Sequence, residues 1–61
     1  MDARRYDRNA DLLSQIYWHT NRLNTKQNER AAEVKTRLLE LLQEALEWND
    51  ELGKMAEKGL I

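Results

Sequence analysis

A chain of 61 residues forms at most one domain, and at this size it buries only ~60% of the surface it exposes when unfolded. It has no cysteine, and His19 is its only histidine. Disulfides and thiolate or histidine-built metal sites are therefore excluded as stabilisers, and oligomerisation is the remedy left. Net charge is −1, split as +2 over residues 1–30 and −3 over 31–61, which favours laying the N-terminal part antiparallel on the C-terminal part.

The first residues, MDARRYDRNAD, hold no apolar signal core, and no apolar run approaches the ~20 residues that span a bilayer. The expectation is a cytoplasmic protein with no membrane partner. Arg4, Arg5 and Arg8 flank Tyr6, an arrangement that suits phosphate contacts, with Arg22, Lys26 and Arg30 further on. Asp2, Asp7 and Asp11 neutralise half of it, so nucleic acid is the second choice of partner.

Proline is absent, and the only glycines are Gly53 and Gly59. Apolar residues recur at three and four, which predicts an all-α protein. One heptad register runs from Tyr6 through Ala10, Leu13, Tyr17, Thr20, Asn24, Gln27, Ala31, Val34, Leu38, Leu41, Ala45, Trp48 and Leu52 to Met55. Its middle is polar. The preferred reading is a helical hairpin: helix 1 over about 8–20, a turn over about 21–26 and a longer helix 2 over about 27–58. The alternative is one long coiled-coil helix. Asn21, Asn24 and Asn28 favour the turn because asparagine tolerates conformations that end helices. Asn24 with Gln27 resembles a capping box.

Within helix 1, Trp18 falls on the polar side with Asp7, Asp11, Ser14 and Arg22. Tryptophan is enriched where interfaces are strongest, so Trp18 and Arg22, with Arg4, Arg5 and Arg8, are the candidate partner-binding residues. The competing reading stacks Trp18 on Arg22 as a cation–π pair. His19 has no nucleophile or fixed carboxylate near it in sequence and reads as a surface residue.

Helix 2 carries an apolar arc approaching 200° on a helical wheel, twice the width of an ordinary amphipathic stripe. Leu38, Leu41, Leu42, Ala45, Trp48 and Leu52 form its centre, and one antiparallel helix would leave Leu39 and Leu46 in water. A dimer of hairpins, a four-helix bundle, is the simplest closed arrangement. The expected self-association core is Leu13, Ile16, Leu38, Leu41, Leu42, Ala45, Trp48 and Leu52. Asn49 sits in the stripe, read as a boundary residue facing solvent, with a buried register-setting role as the alternative.

Glu40, Glu44, Glu47 and Glu51, with Asp50 beside them, share one side of helix 2. Carboxylates so placed can hold Mg²⁺ when a facing helix supplies a second set. Only Asp7 and Asp11 are available for that, so the cluster reads as a solvated acidic face, with Asp50–Lys54 and Glu33–Arg37 as ion pairs along the helix. Gly59 is placed to end helix 2 in a Schellman turn with Leu60 over Met55, and Gly53 is either inside the helix or just beyond its end at Leu52. No catalytic, cofactor or metal motif is evident. The functional expectation is a small non-enzymatic accessory module that self-associates, with a dimer favoured, and binds or modulates a larger, unidentified protein.

Overall fold

The computed structural model describes residues 4–61, so Asp2, counted above among the neutralising acids, lies outside it. Two helices, α1 over Arg4–Asn21 and α2 over Glu29–Glu57, pack against each other as an antiparallel hairpin, with no strand among the described residues. The chain bends, and the single long helix is not formed.

The bend is built by asparagines, though not in the way the capping-box reading placed them. Helix α1 closes with Leu23 N–H donating to the Thr20 carbonyl at 3.0 Å. Asn24 does not cap α2. Its side-chain oxygen accepts from Lys26 N–H at 3.2 Å, and Thr25 O accepts from Asn28 N–H at 3.3 Å. Asn28 is the cap: its backbone is extended (φ −144°, ψ 116°) and its side chain accepts from Ala31 N–H at 3.0 Å. An N-cap oxygen satisfies one of the donors that the first helical turn leaves unpaired. Lys35 Nζ donates to Leu23 O at 2.8 Å, tying the connection back onto α2.

At its far end α2 runs through Gly53 to Glu57. Gly59 adopts φ +76°, and the Schellman bonds follow, Gly59 N–H to Ala56 O at 3.1 Å and Leu60 N–H to Met55 O at 3.0 Å. Gly53 is required for another reason. A Cβ there would stand 3.3 Å from Tyr6 Cβ, so the helices approach closely at this point.

The hairpin is a slab one helix thick. Its Cα extents are 48 × 15 × 9 Å, and its radius of gyration of 14.6 Å exceeds the ~10.5 Å of a compact chain of this length. One layer has no interior. Only Thr20, Leu42, Asn49 and Ala56 are buried among the described residues, and no large side chain is fully enclosed. Stable domains ordinarily pack at least two layers around a core.

Candidate interaction face

Three pairs fix the register between the helices: Tyr6 beside Gly53, Asn9 Nδ2 donating to Asn49 Oδ1 at 3.4 Å, and Gln43 Nε2 donating to Tyr17 Oη at 3.4 Å. The α1 side of the seam follows the expected heptad positions, with Tyr6, Ala10, Leu13 and Tyr17 half-buried and Thr20 buried. The α2 side does not. There the seam runs through Leu39, Leu42, Leu46, Asn49, Gly53 and Ala56, all half-buried or buried. Leu39 and Leu46 are therefore sheltered by α1, not left in water. Asn49 is likewise not a solvent-facing boundary residue. It is buried, and its amide donates to the Tyr6 carbonyl at 2.8 Å.

The residues expected to form the seam on α2 are the ones left open. Val34, Leu38, Leu41, Trp48 and Leu52 are 42–62% exposed, Leu12 and Ile16 on α1 are 47% and 48% exposed, and Leu23, in the connection that follows, is 57% exposed. Helical phase places both sets. Ser14, Tyr17 and Trp18 line a groove with Gln43 and Leu46, and Asp7 lines another with Asp50 and Lys54, so these mark one face of the slab. Leu12 and Ile16 are turned from Leu13 by about 100° and 60° in the opposite sense to Ser14 and Trp18. Val34, Leu38, Leu41, Ala45, Trp48 and Leu52 are turned from Gly53 by about 60–140° in the opposite sense to Gln43 and Lys54. Both apolar rows therefore lie on the second face, side by side. Each large side chain of that face is already about half covered, so burying the remainder contributes roughly half of the ~1.5–3 kcal/mol of a fully exposed one.

Of the expected self-association residues, Ile16, Leu38, Leu41, Trp48 and Leu52 belong to this face, with half-buried Ala45 among them. Leu13 and Leu42 are spent on the hairpin's own seam. Of the partner-binding candidates, Arg4, Arg5, Arg8, Trp18 and Arg22 are all exposed. Arg4, Arg8 and Arg22 fall along the outward line of α1 with Asp11 between them, while Arg5 flanks the apolar row. Trp18 is 59% exposed on the polar face, and its ring contact is an edge-to-face one with Tyr17, centroids 5.5 Å apart, instead of stacking on Arg22. His19 is exposed.

The acidic side of α2 is solvated. Asp50 pairs with Lys54 at 3.1 Å, as the spacing suggests, but Glu33 pairs with Arg30 at 3.5 Å and Arg37 with Glu40 at 3.4 Å, so the expected Glu33–Arg37 pair is replaced by two shorter-range ones. The hydrogen bond that the Lys54 ammonium donates to Asp50, reinforced by the carboxylate's charge, raises that ammonium above its ordinary value of 10.5. No group of three or more metal-ligating side chains converges among the described residues. No described helix is long and apolar enough to cross a membrane.

No protein family, curated protein or solved structure matches the chain.

Proposed function

We propose that this chain is a small non-enzymatic interaction module that self-associates through the apolar face of its hairpin and then presents Trp18 and Arg22 to a larger macromolecule. One observation carries the reading: a one-layer slab exposes two adjacent apolar rows, Leu12–Ile16 and Val34–Leu38–Leu41–Trp48–Leu52, along one side. A contiguous apolar surface of this kind marks an interaction site. A second layer placed on it supplies the core that the single hairpin lacks. Trp18 and Arg22 lie off that face and stay accessible when it is covered.

The experiment is sedimentation velocity over a wide concentration range, with thermal melts at the same concentrations. Self-association predicts more than the monomer mass and a melting temperature that rises with concentration. A cooperatively melting monomer whose melting temperature is independent of concentration overturns it.

A further inference from the structure

The geometry points to one occupant of the apolar face and one way of seating it: a second copy of this hairpin, its turn at the opposite end, so that α2 lies antiparallel on α2 of the second copy across a two-fold axis near Ala45. The inference rests on the self-association proposed above and goes on to fix its geometry.

The match between rows supports the opposite-end arrangement. The open row of α2 is apolar from end to end. About Ala45, Leu38 lies opposite Leu52 of the second copy, Leu41 opposite Trp48, and Val34 opposite Met55. The small Ala45 side chain on the axis lets the backbones approach. The α1 row closes about the same axis. Leu12 lies opposite Ile16 of the second copy, centred on Ser14, and the Tyr17–Gln43 and Asn9–Asn49 pairs put Ser14 level with Ala45 in the hairpin. Two rows that were fixed separately by sequence thus share one axis.

The same-end arrangement lays α2 on α1 of the second copy. The α1 row is apolar only from Leu12 onward. Before it come Arg5 and Arg8, which would then cover Leu52 and Met55. Apolar burial outweighs an exposed ion pair, so the charge match of Arg8 with Glu51 does not compensate.

One charge pair on the flank of the face, Arg37 with Glu51, agrees with the opposite-end arrangement. Arg30, Arg37, Glu44, Glu51 and Lys58 recur every seven residues along the outer edge of the open α2 row. Antiparallel pairing sets Arg37 against Glu51 of the second copy, twice by symmetry. Glu44 meets Glu44 of the second copy near the axis, and Arg30 faces Lys58 of the second copy at each end of the edge, where both side chains are exposed.

The absence of native cysteine makes the test direct. In Ala45→Cys, air oxidation is expected to link most of the dimer through a single disulfide. Glu47→Cys, on the far side of α2, is expected to remain unlinked. Arg37→Glu and Glu51→Arg are each expected to weaken dimerisation about tenfold, with the double exchange restoring it. These two residues are about 21 Å apart along one helix, so rescue has to act between copies. Glu44→Gln is expected to tighten the dimer. Circular dichroism of each variant confirms that its helices form. A wild-type dimer whose Ala45→Cys form does not cross-link, or cross-links no better than Glu47→Cys, overturns the seating while leaving self-association standing. So does a double exchange that fails to rescue. A wild-type chain that stays monomeric throughout removes both.

Discussion

The Asn49 amide donates to the main-chain carbonyl of Tyr6 at 2.8 Å, at the open end of the hairpin, away from the covalent connection between the two helices. The same side chain accepts from Asn9, so a buried amide has both its ends satisfied. A paired polar group in an otherwise apolar seam is worth little in net stability, yet any shift of register leaves it unpaired at high cost. Asn49→Ala is expected to lose ~1–3 kcal/mol, read as a lower midpoint in urea unfolding. Asn49→Leu, which keeps volume and removes the need for a partner, is expected to lose less. A loss as large for leucine as for alanine would mean that packing, not the amide, matters there.

Gly53 tests the closeness of the helices at the same end. In an exposed helix, Gly→Ala gains ~1 kcal/mol. Here the added methyl meets Tyr6 Cβ at 3.3 Å, an atom fixed to the α1 backbone that cannot swing aside as a side-chain tip would. Gly53→Ala is therefore expected to destabilise the hairpin despite its better propensity, while raising helicity in a peptide of residues 29–61 alone. Stabilisation in both settings would show that the helices can part without cost.

These two residues also explain how much of the molecule was legible in its sequence. The three- and four-residue spacing gives the two helices, and the run of asparagines gives the bend. The α1 side of the seam follows from the same spacing, because Tyr6, Leu13 and Tyr17 are the largest residues on that side. On α2, hydrophobicity points to Leu38, Leu41, Trp48 and Leu52, but the helix turns a neighbouring stripe toward α1. Bulky Tyr6 on one helix requires small or polar residues opposite, and Gly53 and Asn49 are such residues. A ranking by hydrophobicity places them last, so this end of the seam is legible only once Tyr6 is set against its partners. The width of the apolar arc was the signal that α2 has two faces to cover. Which of the two faces α1 was not legible.

The ends of α2 are held by local chemistry that substitution can isolate. Asn28→Ala removes the acceptor for Ala31 N–H and is expected to cost ~0.5–2 kcal/mol. Gly59→Ala forces a Cβ into φ +76° and is expected to cost ~1–2 kcal/mol, although no atom crowds the site. Asn24→Ala, at the residue that only turns the loop, is expected to cost less than Asn28→Ala. Thermal or urea unfolding orders the three, and an Asn24→Ala loss equal to that of Asn28→Ala would contradict the assignment of the cap.

Lys54 supplies a pH dependence with a definite sign. Its ammonium is held above 10.5 by Asp50, so the folded chain binds this proton more tightly than the unfolded one. Whatever stability the pair contributes is fully present below 10.5 and is lost as pH rises through the folded value. Solvent exposure of both side chains makes that contribution small. NMR titration of the Lys54 Cε protons is expected to show an elevated midpoint, and Asp50→Asn is expected to return it to the ordinary lysine range. An unchanged midpoint in Asp50→Asn would show that the hydrogen bond is not formed in solution.

The sharpest contrast lies between neighbours on α2. Leu42 is buried against α1, whereas Leu41 is 45% exposed on the open face. Leu42→Lys would bury an unpaired ammonium in the hairpin seam, an effect of ~3–5 kcal/mol that a one-layer fold does not survive. Leu41→Lys leaves that seam intact and is expected to change the isolated hairpin by no more than ~0.5 kcal/mol. It would, however, place a charge in the middle of the face proposed to pair. In a stabilising osmolyte, which strengthens burial generally, Leu41→Lys is expected to keep its helical circular dichroism and sediment as a monomer. Leu42→Lys is expected to lose both helix and association. If Leu41→Lys sediments as the wild type does, the open apolar face is not where copies of the chain meet.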